Sequence, residues 1–212
     1  MDARSHRRGP PAGGPLNGRL IPLRRVAGEV VELSDEALLA ACGTGDRPAL
    51  GALFDRFHVA VYRFISRLQT VDEGARDDIV QATFLELPRT AHQFRGSSTV
   101  KTWILGVSAN IARHHRRTEE RRRAQQERYR HLPAAPQVPP DAEVDRRRRL
   151  LRIAEALSGL AYDQQVAFVL CDLEQLPGVE VARALEIPEG TLWRRLHMAR
   201  KAVRAALAKE MQ

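Results

Sequence analysis

Apolar residues keep helical spacing in two blocks of this chain, and stretches rich in Pro, Gly and charge flank and separate them. In the first block Ser34-Asp-Glu-Ala predicts a helix start, with Ser34 as N-cap and Asp35 and Glu36 in the first turn, where acids suit the helix dipole. Gly43-Thr-Gly45 breaks that helix, and a second follows from Pro48. Its positions Leu50, Leu53, Phe54, Phe57, Val61, Phe64, Ile65 and Leu68 form one apolar stripe. A third helix is predicted from about Ala75 to Leu87, ending against Pro88, because a residue before proline avoids the helical region. A loop containing Phe94-Arg-Gly-Ser-Ser98 leads into a fourth helix, Thr99 to about Arg117.

The second block opens on Leu150, Ile153, Leu157 and Leu160 and continues through Val166, Phe168, Val169 and Leu170. Val181, Ala182 and Leu185 then mark a short helix, Ile187 plugs a turn, and Pro188-Glu-Gly190 precedes a helix with inner stripe Leu192, Leu196, Ala199 and Val203. Two short helices around a tight turn are the pattern of a helix-turn-helix. Between the blocks the chain passes from charge at Glu119 to Arg123 into Leu132-Pro-Ala-Ala-Pro-Gln-Val-Pro-Pro140, and clustered prolines predict an extended connector. The expected organisation is a disordered tail (1–33), a helical domain (34–117), a flexible linker (118–145) and a second helical domain (146–212), all-α throughout.

Several faces carry more than core. On the third helix Val80, Phe84 and Leu87 share the inner side, while Asp78, Gln81 and Leu85 lie opposite, either as a solvated face or as a docking stripe. On the fourth, Val100, Ile104, Val107 and Ile111 form the core stripe. Its far side presents Thr102, Gly106, Ala109, Arg113 and Arg116, small residues followed by cations, which a nucleic-acid backbone could approach closely. Trp103 reads rather as a partly buried core residue than as part of that surface. His114-His115 point about 100° apart on a helix, which does not favour a shared metal. In the last helix Arg194, His197, Met198 and Lys201 point away from the inner stripe, with Trp193 and Arg200 at its flanks. Such side chains suit the major groove, where Arg reaches guanine O6 and N7.

Composition narrows the classes. The net charge is +8, a bias toward polyanions, although the positive charge is nearly all Arg. Cys42 and Cys171 belong to no ligand or disulfide spacing and read as reduced thiols of a cytoplasmic protein. No apolar run reaches the roughly 20 residues of a membrane span, so no membrane insertion is expected. No catalytic constellation or phosphate-binding glycine loop is present, and no cofactor or metal is called for.

Asp77-Asp-Ile-Val-Gln-Ala-Thr-Phe-Leu-Glu86 resembles the core-polymerase-binding motif of extracytoplasmic-function RNA polymerase sigma factors, a group of the sigma-70 superfamily. Phe94-Arg-Gly, Thr102-Trp-Ile and Asn110 are similar to the sigma segment that opens and reads the −10 element. Leu170-Cys-Asp-Leu-Glu, the helix-turn-helix and Gly190-Thr-Leu-Trp-Arg-Arg-Leu-His-Met-Ala-Arg200 resemble sigma region 4, which reads the −35 element. The resemblance implies a transcription-initiation factor with core RNA polymerase (β′ clamp helices and β subunit) as partner. It also implies promoter DNA, duplex at −35 and single-stranded at −10, and an anti-sigma factor as inhibitor.

Carried onto this chain, it implies Asp77, Asp78, Ile79, Gln81, Phe84 and Leu85 for polymerase binding. For the −10 element it implies Arg95, Gly96, Ser97 and Ser98 as the base pocket, with Lys101, Trp103, Asn110, Arg113 and Arg116. For the −35 element it implies Thr191, Trp193, Arg194, Arg195, His197, Arg200 and Lys201. Departures stand at Pro88, where relatives often have an aromatic, and at Trp193 and Met198, often basic. A stand-alone DNA-binding regulator is the rival reading, and an enzyme a remote one.

Overall fold

The computed structural model describes residues 33–68, 70–127 and 155–208, and within these every regular element is a helix. The expected tail up to residue 32, most of the expected linker, and Leu150 and Ile153 lie outside the described residues.

The first block forms four helices. Helix α1 (Asp35–Gly43) starts where Ser34 Oγ accepts from Ala37 N–H, and α2 (Arg47–Arg67) starts where Asp46 accepts from Ala49 N–H, with Pro48 in its first turn. Helix α3 (Arg76–Thr90) follows a short 3₁₀ turn, and α4 (Val100–Glu127) follows a second. Leu39, Leu53, Phe64, Ile65, Ile79, Leu87, Ile104 and Leu105 interlock in the centre of the bundle. The second block forms α5 (Tyr162–Phe168), which widens into a π-type turn over Val169–Leu173, then α6 (Gly178–Ala184) and α7 (Glu189–Ala208). Tyr162, Val166, Leu170, Val181, Leu192 and Leu196 make its core.

Three expectations need correction. Pro88 does not end α3 but sits in its last turn, which closes through Thr90 Oγ1 donating to Glu86 O at 2.9 Å and Ala91 N–H bonding to Leu87 O. Helix α4 runs ten residues past Arg117, to Glu127, into the charged stretch expected as linker. Residues there are good helix formers, and the pairs Arg116–Glu120 (3.1 Å) and Glu119–Arg122 (3.6 Å) support the extension. Phe54, placed in the apolar stripe of α2, is exposed, with its ring stacked on His58 and edge-on to Phe84.

The largest difference concerns the far side of α4. Thr102, Gly106 and Ala109 are buried there, because the second block packs onto them and the two blocks form one compact unit around a continuous core. Small residues permit the close approach: a Cβ at Gly106 would stand 2.4 Å from the Ala184 carbonyl oxygen, so only glycine fits. The sequence shows that the backbone of something comes near, and here that something is α6.

Replacing the fully enclosed Phe64 by Ala is expected to cost about 3–5 kcal/mol in urea unfolding; a loss below about 1 kcal/mol would show that the bundle does not close around it. Burial, and then Asp172 beside it, pushes the Cys171 thiol up to about 11, and burial with Asp46 pushes Cys42 up as well. Both groups therefore remain protonated at pH 8, and the nucleophile in disulfide exchange is the thiolate. An aromatic disulfide reagent is expected to react slowly with native protein at pH 8, faster as pH rises toward that of Cys171, and at once in denaturant. Immediate stoichiometric reaction of the native chain at pH 8 would contradict this.

Candidate nucleic-acid and protein interfaces

Helix α3 separates its two sides sharply. Ile79, Val80, Thr83, Phe84 and Leu87 face the core, and Asp77, Asp78, Gln81 and Leu85 face solvent, Leu85 with 62 % of its surface exposed. Of the six residues implied for polymerase binding, Ile79 and Phe84 are therefore removed, since the bundle buries both. Leu85 thus stands open beside two carboxylates and an amide. Phe54 is exposed as well, its ring edge-on to that of Phe84 at 4.9 Å. The helical spacing of Phe54 gave no sign of this, because the stripe it belongs to is core elsewhere.

The loop before α4 is shaped by glycine. Gly96 has φ +68°, with open space where a Cβ would stand, so the requirement is for the left-handed backbone rather than for room. Arg95, Gly96 and Ser97 are exposed and Ser98 is half-buried, while Phe94 and Trp103 meet edge to face at 5.7 Å behind them. Trp103 is half-buried, as its core reading implied. A cavity of about 320 Å³ opens here, lined by Gln93, Arg95, Ser97, Ser98 and Trp103 on one side and Arg183, Ala184 and Glu186 on the other.

The other residues assigned to the −10 element are drawn toward the second block. Lys101 Nζ lies 3.6 Å from Glu174, a carboxylate almost wholly enclosed that also accepts from Arg67 Nη1. Arg113 donates to Asp163 Oδ1 through Nη2 (2.9 Å) and Nε (3.2 Å), and to Asn110 Oδ1 at 2.8 Å. Arg113 and Arg116 cover the Tyr162 ring at 5.6 and 5.2 Å, and the Tyr162 hydroxyl donates to the Ala109 carbonyl at 2.6 Å. Burial raises the pKa of that phenol well above its ordinary value, so it stays a donor. Glu180 Oε2 accepts from Thr99 N–H (3.0 Å) and Thr102 Oγ1 (3.3 Å), and Arg183 Nη1 donates to Ser97 O at 3.1 Å. Asp163, Glu174, Glu180, Tyr162 and Arg183 carried no signal in the sequence, since their partners come from residues 50 to over 100 positions away.

Helix α7 presents Arg194, His197, Met198 and Lys201 to solvent, opposite the buried Leu192, Leu196 and Ala199. The turn before it is held by Ile187 N–H bonding to Ala182 O at 3.0 Å, with Glu186 at φ 54°. Trp193 is 46 % exposed and lies over Gly178, where an added Cβ would come within 2.6 Å of the ring. Three of the implied −35 residues are otherwise engaged: Arg195 donates to Asp163 Oδ2 at 2.7 Å, Arg200 grips Asp172 at 2.6 and 2.9 Å, and Thr191 is half-buried. The Asp172 hydrogen bond raises the pKa of the Arg200 guanidinium further. Arg195 turns inward to α5 in this structure, whereas Arg194 points outward.

Comparison with known proteins fits this arrangement. Residues 53–122 match Sigma-70 region 2 and residues 150–203 match Sigma-70, region 4. The ECF RNA polymerase sigma factor SigM of Mycobacterium tuberculosis is 31% identical over 172 residues, 80% of this chain and 82% of that protein. The ECF RNA polymerase sigma-E factor of Escherichia coli K12 is 26% identical over 180 residues, 81% of this chain and 93% of that protein. Among solved structures, CnrH in complex with the cytosolic domain of CnrY is similar with a TM-score of 0.56 at 22% identity, over 82% of this chain and 97% of that one. The sigma factor RpoE in complex with the anti-sigma factor NepR from Bartonella quintana gives 0.53 at 20% identity, over 73% and 94%. The chain thus belongs to the extracytoplasmic-function sigma factors of the sigma-70 family, promoter-recognising factors of transcription initiation.

Proposed function

We propose that this chain binds core RNA polymerase through the outward side of α3, reads the −35 duplex with α7, and captures unstacked −10 bases at the loop before α4. The exposed stripe Asp77, Asp78, Gln81 and Leu85, set on a helix whose other side is core, carries the polymerase part of the reading. Its natural seat is the β′ clamp helices. Arg194, His197 and Lys201 are the side chains of α7 that reach the major groove, with phosphates met along the same helix. At the −10 element, Arg95 to Ser98 and Trp103 line the base pocket, where stacking and edge contacts hold a flipped nucleotide. Bond formation stays with the polymerase, and the chain works in the cytoplasm without cofactor or metal.

An anti-sigma factor belongs to the same reading. The neighbours CnrH and RpoE were solved as complexes with CnrY and NepR, and a chain of this type would be held inactive in a comparable way.

In transcription assays with purified core polymerase and promoter fragments, Asp78→Arg/Gln81→Glu is expected to abolish holoenzyme formation and reduce transcript at least tenfold while leaving helical content unchanged. Wild-type polymerase binding by this variant would overturn the assignment of α3. Tight, specific promoter binding by the unaltered chain without polymerase would favour the stand-alone regulator instead.

A further inference from the structure

The outward side of α7 holds one apolar side chain among basic ones. Arg194, His197, Met198 and Lys201 face solvent there, and Met198 keeps 46 % of its surface exposed. Along the helix it is flanked by Arg194, one turn before, and Lys201, almost one turn after. The other exposed apolar residues of α7 point elsewhere. At 100° per residue Trp193 lies about 140° from Met198, and its ring rests over Gly178, where an added Cβ would come within 2.6 Å. Leu207 lies about 180° away, on the opposite side. Two neighbouring cations are tied to acids of the same block, Arg195 to Asp163 and Arg200 to Asp172. A helix seated in the major groove through this side therefore brings Arg194, His197, Lys201 and a single thioether to the base edges.

The chemistry of the groove says what that thioether can meet. Every base pair shows donors and acceptors in the major groove, but only thymine adds an apolar group, its C5-methyl. Against an amino group or a ring nitrogen a thioether would displace water and return no comparable hydrogen bond, which is unfavourable. Against a methyl group it gains contact, and its unbranched, polarisable chain can adjust to reach it. We infer that Met198 is a specificity-determining residue, packing its thioether on the C5-methyl of a thymine in the −35 element. The inference rests on the −35 reading above. Arg194 stands about 5.4 Å along the helix from Met198, and stacked base pairs are about 3.4 Å apart. The thymine therefore lies one or two base pairs from the guanine that Arg194 takes, on either strand. Burying one methyl group corresponds to about a fourfold change in affinity.

The test uses the full chain with core RNA polymerase and a promoter pool randomised over the −35 element, sequenced after retention by the holoenzyme. Enrichment of a guanine with a thymine one or two base pairs away is expected. In the best-retained promoter each −35 thymine is then replaced in turn by deoxyuridine, which pairs alike and lacks only the methyl. One replacement is expected to weaken holoenzyme binding about fourfold. In Met198→Gln, an unbranched side chain ending in an amide, the same promoter pair should bind equally, whereas Met198→Leu should keep most of the difference. The thymine-to-deoxyuridine ratio is taken within each variant, so it does not depend on how much of a variant is active. A wild-type ratio retained in Met198→Gln, or a selected element with no methyl-sensitive thymine, would overturn the inference. If Arg194→Ala still loses the selected guanine, the −35 reading survives that failure. If the pool shows no enrichment and Arg194→Ala transcribes as well as wild type, the −35 reading falls and the inference with it.

Discussion

Helix α4 has both of its long sides occupied, and the rest of the molecule is arranged around that fact. Val100, Ile104 and Leu105 seal the first block, whereas Thr102, Gly106 and Ala109 lie under the second. A helix can do this only if one side is nearly free of bulk, and the 2.4 Å that would separate a Gly106 Cβ from the Ala184 carbonyl oxygen sets how small that side must be. Once α6 lies so close, the polar groups around the seam have to be satisfied inside it. Glu180 on Thr99 and Thr102, Tyr162 on the Ala109 carbonyl, and Glu174 between Arg67 and Lys101 are the solutions found. Removing one member of such a set leaves its partner stranded, which costs more than the contact itself is worth.

Much of this could be seen in the sequence, and what could not has a physical cause. The helix start at Ser34, a second helix beginning near Pro48, the buried and exposed sides of α3, and the inner stripe of α7 all follow from local spacing and capping, and the structure keeps them. Charge beyond Arg117 suggests a linker, but Arg and Glu are good helix formers and pair along the helix, so α4 continues. Pro88 reads as a stop, yet a proline in the last turn forfeits little when a threonine hydroxyl helps to close that turn. The small outer side of α4 predicts the close approach of a nucleic-acid backbone; in the structure α6 approaches there instead, because periodicity cannot name the visitor. Tertiary partners such as Asp163 with Arg113, or Glu174 with Lys101, lie far apart in the chain and have no local signature.

The surfaces that remain open are informative for the same reason. The outward side of α3 needs nothing from the seam, because Asp78, Gln81 and Leu85 are exposed while the two blocks are packed together, which leaves the proposed polymerase surface open. Arg194, His197 and Lys201 are likewise presented. The outer side of α4, with Thr102, Gly106 and Ala109, is covered instead.

The most direct measurement is the distance between a donor and an acceptor dye on exposed positions of α2 and α7, Val59 and Arg204, by single-molecule energy transfer. The chain alone should give one short-distance population, and core polymerase with promoter DNA should convert it to a longer one. A distance that is already long and broad in the isolated chain, or one that stays short in the complete initiation complex, would contradict the account.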